Sequence, residues 1–201
     1  MIKVYYANVN DLEEDKVFEE KLQMVQVSRQ HKVLRCKQRQ DQLRSLGAGL
    51  LIRYGLEQEM LAYDSLVFEE NSHGKILVNC DLFPIWINVS HSGDFAAVAV
   101  SNHKIGIDIQ QQRDMKSEEK MKRLCYNEKE MNSKENFFYH WTRKEAYSKM
   151  MGLGMQMEFQ SIETLDNPKL WSKRIEGDYW LSVASSHDIK EVEVNRICLT
   201  N

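Results

Sequence analysis

The first half of the chain carries the apolar pattern of a strand followed by that of a long helix. The opening segment 2–9 is mostly apolar and predicts a strand, while segment 38–55 has apolar residues at steps of three and four and predicts an amphipathic helix. A short helix near 58–64, a turn at 71–74 and an extended stretch at 85–89 are predicted to follow. The apolar stripe of the long helix consists of Leu43, Leu46, Leu50 and Tyr54.

Two apolar runs near the middle of the chain predict a β-hairpin. The segments 95–101 and 104–109 are rich in Val, Ile and Ala and are separated by only two residues. In the second run three isoleucines occupy alternate positions and therefore share one face of the strand. The other face then holds Gly106, Asp108 and Gln110, so two potential oxygen ligands point the same way.

The C-terminal part predicts a second long helix and further strands. The helix is expected over 135–151, with Gly152 and Gly154 suited to end it, while Asn127 and Glu130 resemble the cap of a shorter helix before it. Each half of the chain thus holds one principal helix and several strands, which predicts an α+β fold of two similar sub-domains. The C-terminal strands are expected near 159–164, 179–184 and 191–199.

Length and composition indicate a soluble globular protein. With 201 residues, of which 42% are hydrophobic and 28% charged, the chain can bury one sizeable core or two small ones. No apolar run approaches the roughly 20 residues of a membrane-spanning helix, and the N-terminus lacks the basic start of a secretory signal. We therefore expect a cytoplasmic protein with no membrane partner. The four cysteines are far apart and are expected to be reduced, structural thiols.

The net charge of −3 conceals a basic cluster in the N-terminal half. Within segment 29–44 the only acid is Asp41, so this stretch is expected to attract anions, although a solvated helix face would have the same composition. The overall pI of about 6.1 argues against a nucleic-acid partner. The basic residues of the cluster are Arg29, Lys32, Arg35, Lys37, Arg39 and Arg44.

Three side chains of the predicted C-terminal helix recur at four-residue steps and share one face: Trp141, Glu145 and Lys149. Taken alone, Glu145 and Lys149 fit a surface ion pair, and Asp108 fits an acid at a strand end. An unpaired carboxylate beside an Ile-Gly-Ile core strand is costly, however, and a bound cation would explain it. Because Mg²⁺ takes one or two protein carboxylates and completes its shell with phosphate oxygens and water, Asp108 and Glu145 are candidate metal ligands.

A polar segment, NVSHSGD, precedes the central apolar runs. It places Ser90, His91 and Ser92 before Gly93, where a strand breaks into a turn whose donors could face an anion. On its own, such a histidine is more often structural. Next to a magnesium diphosphate it would acquire a binding role.

Together, three segments resemble the motifs of the surfactin-synthetase-activating type of 4'-phosphopantetheinyl transferase. They are NVSHSGDFAAVAVS, KIGIDIQ and WTRKEAYSKMMGLG, in this order and with these separations. The upstream DQLRSLGAGLLIRYGL and the HGK at 73–75 are similar to the coenzyme-A-binding half of that family. The resemblance covers nearly the whole chain, and three motifs in register make it specific.

This resemblance implies a Mg²⁺-dependent enzyme that moves 4'-phosphopantetheine from coenzyme A onto a serine of an apo acyl, peptidyl or polyketide carrier protein, releasing 3',5'-ADP. It implies a monomer of two pseudo-symmetric lobes with coenzyme A and Mg²⁺ in the cleft between them. The N-terminal lobe, 1–101, would contact the 3'-phosphate and adenine, and the C-terminal lobe, 102–201, would hold the metal-binding and catalytic motifs. The basic KMKRL segment at 120–124 would suit docking of an acidic carrier protein, or would form a solvated helix face.

The resemblance also implies roles for individual residues. Asp108, Gln110 and Glu145 match metal-binding positions, and Glu145 is expected to take the proton of the incoming serine as well. His91 and Lys149 match groups that bind the phosphates of the coenzyme and stabilise the leaving diphosphate. Arg44 matches a basic residue that holds the 3'-phosphate, and Gly74 and Lys75 match the segment that lies against the adenine. Lys32, beside Arg29 and His31 without a fixed register, is a further expected contact of the 3'-phosphate, and Ser90 is also expected to contact coenzyme A.

Two positions depart from the family pattern. Gln110 stands where many relatives have Glu, and Ile76 stands where Pro commonly follows HGK. The neutral Gln110 keeps open a non-catalytic module that binds coenzyme A or a carrier protein, whereas the presence of both Asp108 and Glu145 favours catalysis. A serine hydrolase is disfavoured because the GxSxG motif is absent.

Overall fold

A computed structural model describes residues 1–70, 76–80, 82–153 and 157–200 of the chain. The strands are β1 (Ile2–Asn8), β2 (Val67–Glu70), β3 (Ile76–Asn79), β4 (Trp86–Ser92), β5 (Phe95–Ser101), β6 (Ile105–Gln111), β7 (Leu170–Ile175), β8 (Tyr179–Ser185) and β9 (Val192–Arg196). The α-helices are α1 (Asp15–Leu22), α2 (Val27–Arg35), α3 (Arg39–Glu57), α4 (Glu118–Cys125), α5 (Glu128–Met131) and α6 (Phe137–Met151). Within these ranges, no helix has the length and hydropathy to cross a bilayer.

The first sheet has the strand order β4-β5-β1-β9. Strand β1 is antiparallel to β5 and parallel to β9, so the sheet takes its last strand from the C-terminal end of the chain. Helix α3 packs against β5, β1 and β4, and its buried face includes the predicted Leu43, Leu46 and Leu50. The division of the chain into two lobes at residue 101 stays a prediction. Strand β9 follows that division in the sequence but joins the first sheet by pairing with β1.

The second sheet is antiparallel, with the order β6-β8-β7. Helix α6 packs against β6 and β8, and the left-handed Gly152, at a φ of 76°, ends this helix as predicted. Each of these two sheets therefore carries one principal helix, while β2 and β3 form a separate two-stranded sheet. The predicted α+β fold of two similar halves, each a small and mainly antiparallel sheet with a helix, is confirmed.

Equivalent turns relate the two halves. The β4–β5 turn contains Gly93 at a φ of 54°, and the β7–β8 turn contains Gly177 at a φ of 79°. An aspartate follows each glycine. The carbonyl oxygen of Asp94 accepts the backbone N–H of Val9 at 2.8 Å, and that of Asp178 accepts the backbone N–H of Gln112 at 2.7 Å. Each turn is thus fixed to the residue that follows a neighbouring strand.

The predicted hairpin of 95–101 with 104–109 is wrong. Strand β5 pairs with β1 and β4 in the first sheet, whereas β6 pairs with β8 in the second. The short connection after Ser101 therefore crosses from one sheet to the other. Residues Phe95–Ser101 are buried at every position, so the alternation that would identify a partner strand is absent from the sequence.

Two local predictions also need correction. The strand expected near 159–164 is a 3-10 helix at Phe159–Ser161, because the backbone carbonyls of this segment bond to a buried lysine, Lys144, instead of to a neighbouring strand. The helix expected near 58–64 is only a 3-10 helix at Tyr63–Ser65. The strand Leu170–Ile175 was not predicted. The turn expected at 71–74 and the glycine at position 154 lie outside the described residues.

Candidate active site

Strand β4, strand β6 and helix α6 bring three predicted site residues into direct contact. The ammonium of Lys149 lies 2.7 Å from Asp108 Oδ1 and donates to Ser90 Oγ at 2.8 Å. Ser90 Oγ donates to the same Asp108 oxygen, also at 2.8 Å. Ser90 and Asp108 are buried, while Lys149 is partly exposed. Lys149 of α6 therefore forms an ion pair with Asp108 of β6.

Side chains, not backbone carbonyls, join β4 to β6 beside this contact. Asn88 Oδ1, Ser90 Oγ and Ser92 Oγ accept the backbone N–H groups of alternate β6 residues at 2.9, 3.3 and 3.1 Å. We name this row of three bonds the seam. Because alternate residues of a strand face one side, the spacing of 88, 90 and 92 places all three acceptors on β6. The seam therefore fixes Asp108 against Ser90.

Helix α6 approaches β6 closely because position 106 has no side chain. A Cβ at Gly106 would lie 2.0 Å from the carbonyl oxygen of Ala146 and 2.4 Å from the backbone nitrogen of Met150. Glycine at this position therefore allows the helix backbone to rest directly on the strand. The approach places the carboxylate of Glu145, on α6, within electrostatic range of Asp108.

Two carboxylate oxygens at this contact have unused acceptor capacity. Asp108 Oδ2 and Glu145 Oε1 are buried, and neither has a hydrogen-bond partner in the part of the chain that the structure describes. Burial, followed by the negative charge of Asp108, raises the pKa of Glu145 to about 6, while Lys149 acts in the opposite direction. Buried acceptors without donors are costly, so this pair fits a bound cation.

The donor set of this pair suits Mg²⁺ more than a transition metal. Among the described residues, no group of three or more His, Cys, Asp or Glu side chains is placed to hold a metal. Mg²⁺ needs only one or two protein carboxylates when phosphate oxygens and water complete its shell. Gln110 is on the same strand face as Asp108, and its amide nitrogen makes a long 3.4 Å bond to the carbonyl oxygen of Gln111.

His91 follows Ser90 on β4 and lies in a positively charged environment. His91 is exposed at the surface, yet desolvation by neighbouring groups, and then the charges of Lys149 and Arg44, lower its pKa. Arg44 Nε donates to the carbonyl oxygen of Gly93 at 2.8 Å, and the same guanidinium pairs with Asp41 at 2.9 Å. Arg44 thus holds the turn after His91, where an anion would meet the positive charges of Arg44 and Lys149.

Helix α2 lines a second concave site, which we call the basic pocket. Its volume is about 570 Å³, and its walls combine cationic and apolar side chains. Arg44 is not among the lining residues, whereas Arg35, which the sequence did not single out for a role, is one of them. The lining residues are Gln26, Ser28, Arg29, His31, Lys32, Arg35, Ile52, Tyr63, Phe68 and Ile76.

The structure thus places the predicted coenzyme A contacts in two groups. Lys32, with Arg29 and His31, lines the basic pocket, whereas Arg44 lies at the Gly93 turn. Gly74 and Lys75 lie outside the described residues, although the adjoining Ile76 lines the basic pocket. Asn88, which also fixes the site, was not predicted, and Ser92 was predicted only as a possible donor at the Gly93 turn. Their alternation with Ser90 was the available signal for the bonds to β6.

A groove of about 410 Å³ lies between α4 and α6. Its walls include Met121, Leu124 and Trp141, and Trp141 precedes Glu145 by one helical turn. Of the basic residues on α4, Lys122 pairs with Glu118 at 2.7 Å, while Lys120 and Arg123 are exposed. The KMKRL segment therefore combines an apolar wall with exposed positive charge.

Comparisons with known proteins agree on one family. A model described as 4'-phosphopantetheinyl transferase, N-terminal, matches residues 13–103, and one described as 4'-phosphopantetheinyl transferase superfamily matches 104–192. The chain is 32% identical to the 4'-phosphopantetheinyl transferase gsp of Aneurinibacillus migulanus over 170 residues, covering 81% of this chain and 70% of that protein. It is 26% identical to pptA of Paxillus involutus, over 74% of this chain and 67% of that protein. It is 25% identical to Sfp of Bacillus subtilis, over 70% of this chain and 66% of that protein, and both relatives are named as 4'-phosphopantetheinyl transferases.

Proposed function

Because the chain belongs to the 4'-phosphopantetheinyl transferase family, we propose that it transfers 4'-phosphopantetheine from coenzyme A to a serine of an apo carrier protein. The product besides the holo-carrier is 3',5'-ADP. The observation that carries this proposal is the contact of Ser90, Asp108 and Lys149 beside Glu145, since it combines phosphate-binding donors with two unsatisfied carboxylate oxygens.

Asp108 and Glu145 would hold the magnesium ion, with Gln110 contributing a carbonyl oxygen directly or through water. Their unpartnered oxygens supply two acidic ligands, which leaves positions for the diphosphate of coenzyme A. A bound Mg²⁺ supplies positive charge that neutralises the diphosphate as the leaving group departs. The neutral amide at 110 makes the site less negative than three carboxylates would.

Lys149 and His91 bind and orient the diphosphate in this proposal. The serine oxygen of the carrier attacks the phosphorus that bears pantetheine, and the bond from that phosphorus to the 3',5'-ADP oxygen breaks. Lys149 already donates to Ser90 and Asp108, so its ammonium is held in place before the substrate arrives. Glu145 takes the serine proton, and its pKa of about 6 leaves it ionised at neutral pH.

The basic pocket is the place we assign to the adenosine 3'-phosphate end of coenzyme A. Lys32, Arg29 and Arg35 line it and provide positive charge, while Tyr63 and Phe68 provide apolar walls for a base. Arg44 lies beside the Gly93 turn and pairs with Asp41, so we assign it to the diphosphate and not to the basic pocket. Gly74 and Lys75 remain proposed contacts of the adenine.

The carrier protein would dock on the groove beside Trp141, with exposed Lys120 and Arg123 facing its acidic surface. The acceptor serine would then reach Glu145 one turn further along α6. We further propose that the enzyme acts as a cytoplasmic monomer in fatty-acid or secondary-metabolite synthesis, with lobes 1–101 and 102–201 enclosing coenzyme A.

A transfer assay tests this function directly. The protein is incubated with coenzyme A, Mg²⁺ and a panel of apo carrier proteins, and intact mass spectrometry follows addition of phosphopantetheine. We expect modification of at least one carrier, lost on addition of a chelator and in Asp108→Ala. Tight coenzyme A binding without modification of any carrier would instead identify the non-catalytic binding module.

A further inference from the structure

A buried ion pair involves the residue of α6 that directly precedes Glu145. Lys144, the residue before Glu145, is fully buried. Its ammonium lies 2.8 Å from Glu130 Oε2 and donates to the carbonyl oxygens of Phe159 and Ile162 at 2.7 and 2.8 Å. These three acceptors match the three protons of the ammonium.

Glu130 has its own full set of partners. It is 1% exposed, and Oε2 also accepts the backbone N–H of Asn127 at 3.1 Å. Its other oxygen, Oε1, accepts the hydroxyl of Thr164, which is 2.7 Å from His140 Nδ1. The pair therefore joins α5, α6 and the segment that follows α6 into one hydrogen-bonded cluster.

Stability alone does not explain this arrangement. Taking two charges out of water is costly, and replacing a buried ion pair by apolar residues is often neutral or stabilising. Here the buried ammonium of Lys144 makes three directional bonds, to Glu130 and to two backbone carbonyls. These bonds restrict rotation of the helix at Lys144, because a rotation would break all three together.

Glu145 lies between two contacts that fix α6. On one side the helix backbone rests on Gly106, and on the other Lys144 is held by Glu130 and the two carbonyls. Consecutive helix residues point about 100° apart, so fixing the direction of Lys144 also fixes that of Glu145. We infer that the Glu130–Lys144 pair is a positioning element that sets Glu145 against Asp108 for metal binding and proton transfer. This inference rests on the proposed function.

The test compares Lys144→Met with the double variant Glu130→Gln/Lys144→Met. The single variant leaves a buried carboxylate unpaired and should be strongly destabilised, while the double variant should recover much of the stability. We expect turnover in the double variant to stay about 10- to 100-fold below wild type, with KM for coenzyme A within about twofold, because small misplacements of a reacting group cost this much. Recovery of turnover together with stability would overturn the inference.

Leu51→Ala serves as the matched control, because Leu51 is fully buried in the core between α3 and the first sheet and has no part in the candidate active site. It should lower stability and leave turnover per folded molecule unchanged. Equal loss of turnover in Leu51→Ala would show that destabilisation alone explains the effect.

Two measurements separate this inference from the transfer proposal. Calorimetry of coenzyme A binding with and without Mg²⁺ should show an unchanged metal-free affinity and a metal-dependent gain reduced at least tenfold in the double variant. A crystal structure of the double variant needs no ligand and should show Glu145 displaced from Asp108. An unmoved Glu145 would refute the positioning role even if the wild type transfers nothing, whereas a displaced one would support it.

Discussion

The close approach of α6 to β6 makes Gly106→Ala a sharp test of the active-site geometry. The added methyl would lie 2.0 Å from Ala146 O and 2.4 Å from Met150 N, and both are backbone atoms that no side-chain rotation can move aside. Ordinary van der Waals contact begins near 3.4 Å, so the first separation must lengthen by 1.4 Å, the difference between 3.4 and 2.0 Å. The helix that carries Glu145 and Lys149 must therefore move away from Asp108.

We expect Gly106→Ala to cost about 1–3 kcal/mol of unfolding free energy, the usual range for overpacking a core. Turnover should fall by roughly 100-fold, because a shift of about 1 Å in a catalytic group costs this much. Urea unfolding followed by circular dichroism measures the first quantity, and the intact-mass transfer assay measures the second. The assay is run well below the unfolding midpoint so that the two effects stay separate.

Gly55→Ala provides the control within a helix of the first half. There the new methyl would lie 2.9 Å from Val100 Cγ2 and 3.3 Å from Tyr5 Cδ2, which are side-chain atoms of the first core. These side chains must shift, so the variant should lose stability by overpacking, less about 0.5–1 kcal/mol gained by removing a helical glycine, while α6 and turnover per folded molecule stay unchanged. If Gly106→Ala kept the turnover of Gly55→Ala, the inferred contact between α6 and β6 would be incorrect.

Three further predictions concern titration, metal and coenzyme. Folding raises the pKa of Glu145 from about 4.5 to about 6, so the stability contributed by its protonated form is present below pH 4.5 and is lost as pH rises through 6. Glu145→Gln should remove this decrease of unfolding free energy with pH, measured by urea titrations at a series of fixed pH values, and should also remove the rise of turnover through pH 6. Gln110→Glu should lower the Mg²⁺ concentration for half-maximal activity, and an unchanged value would exclude residue 110 from the metal. Lys32→Ala should raise KM for coenzyme A more than for dephospho-coenzyme A, whereas Arg44→Ala should affect both alike if it serves the diphosphate.

Periodicity made the central residues of the site predictable. Asp108 and Gln110 share a strand face at a spacing of two, and Glu145 and Lys149 share a helix face at a spacing of four, so the sequence alone identified both faces. The motifs then placed the two faces in one site. The structure brings Asp108 and Lys149 into contact, which the separate patterns could not show because they belong to different elements.

Features that depend on distant partners were not predictable in this way. The pairing of β6 with β8 in place of β5 is decided by packing between sheets, and a strand buried throughout has no polar face to indicate its neighbour. Lys144 stands beside Glu145 in a polar stretch and resembles a solvent-exposed lysine, yet its partners are contributed by Glu130 and by carbonyls after the helix. Arg44 was expected at the 3'-phosphate, and its contact with the Gly93 carbonyl depends on a turn far along the chain.

The seam between β4 and β6 makes hydrogen exchange at one strand edge depend on side chains. In an ordinary sheet, backbone carbonyls protect the amides of a neighbouring strand, and no substitution can delete a carbonyl. Here the amides of Ile107, Ile109 and Gln111 are protected by an asparagine and two serines, each of which a single codon change can remove. The junction between the two sheets can therefore be loosened one bond at a time without altering either backbone ladder.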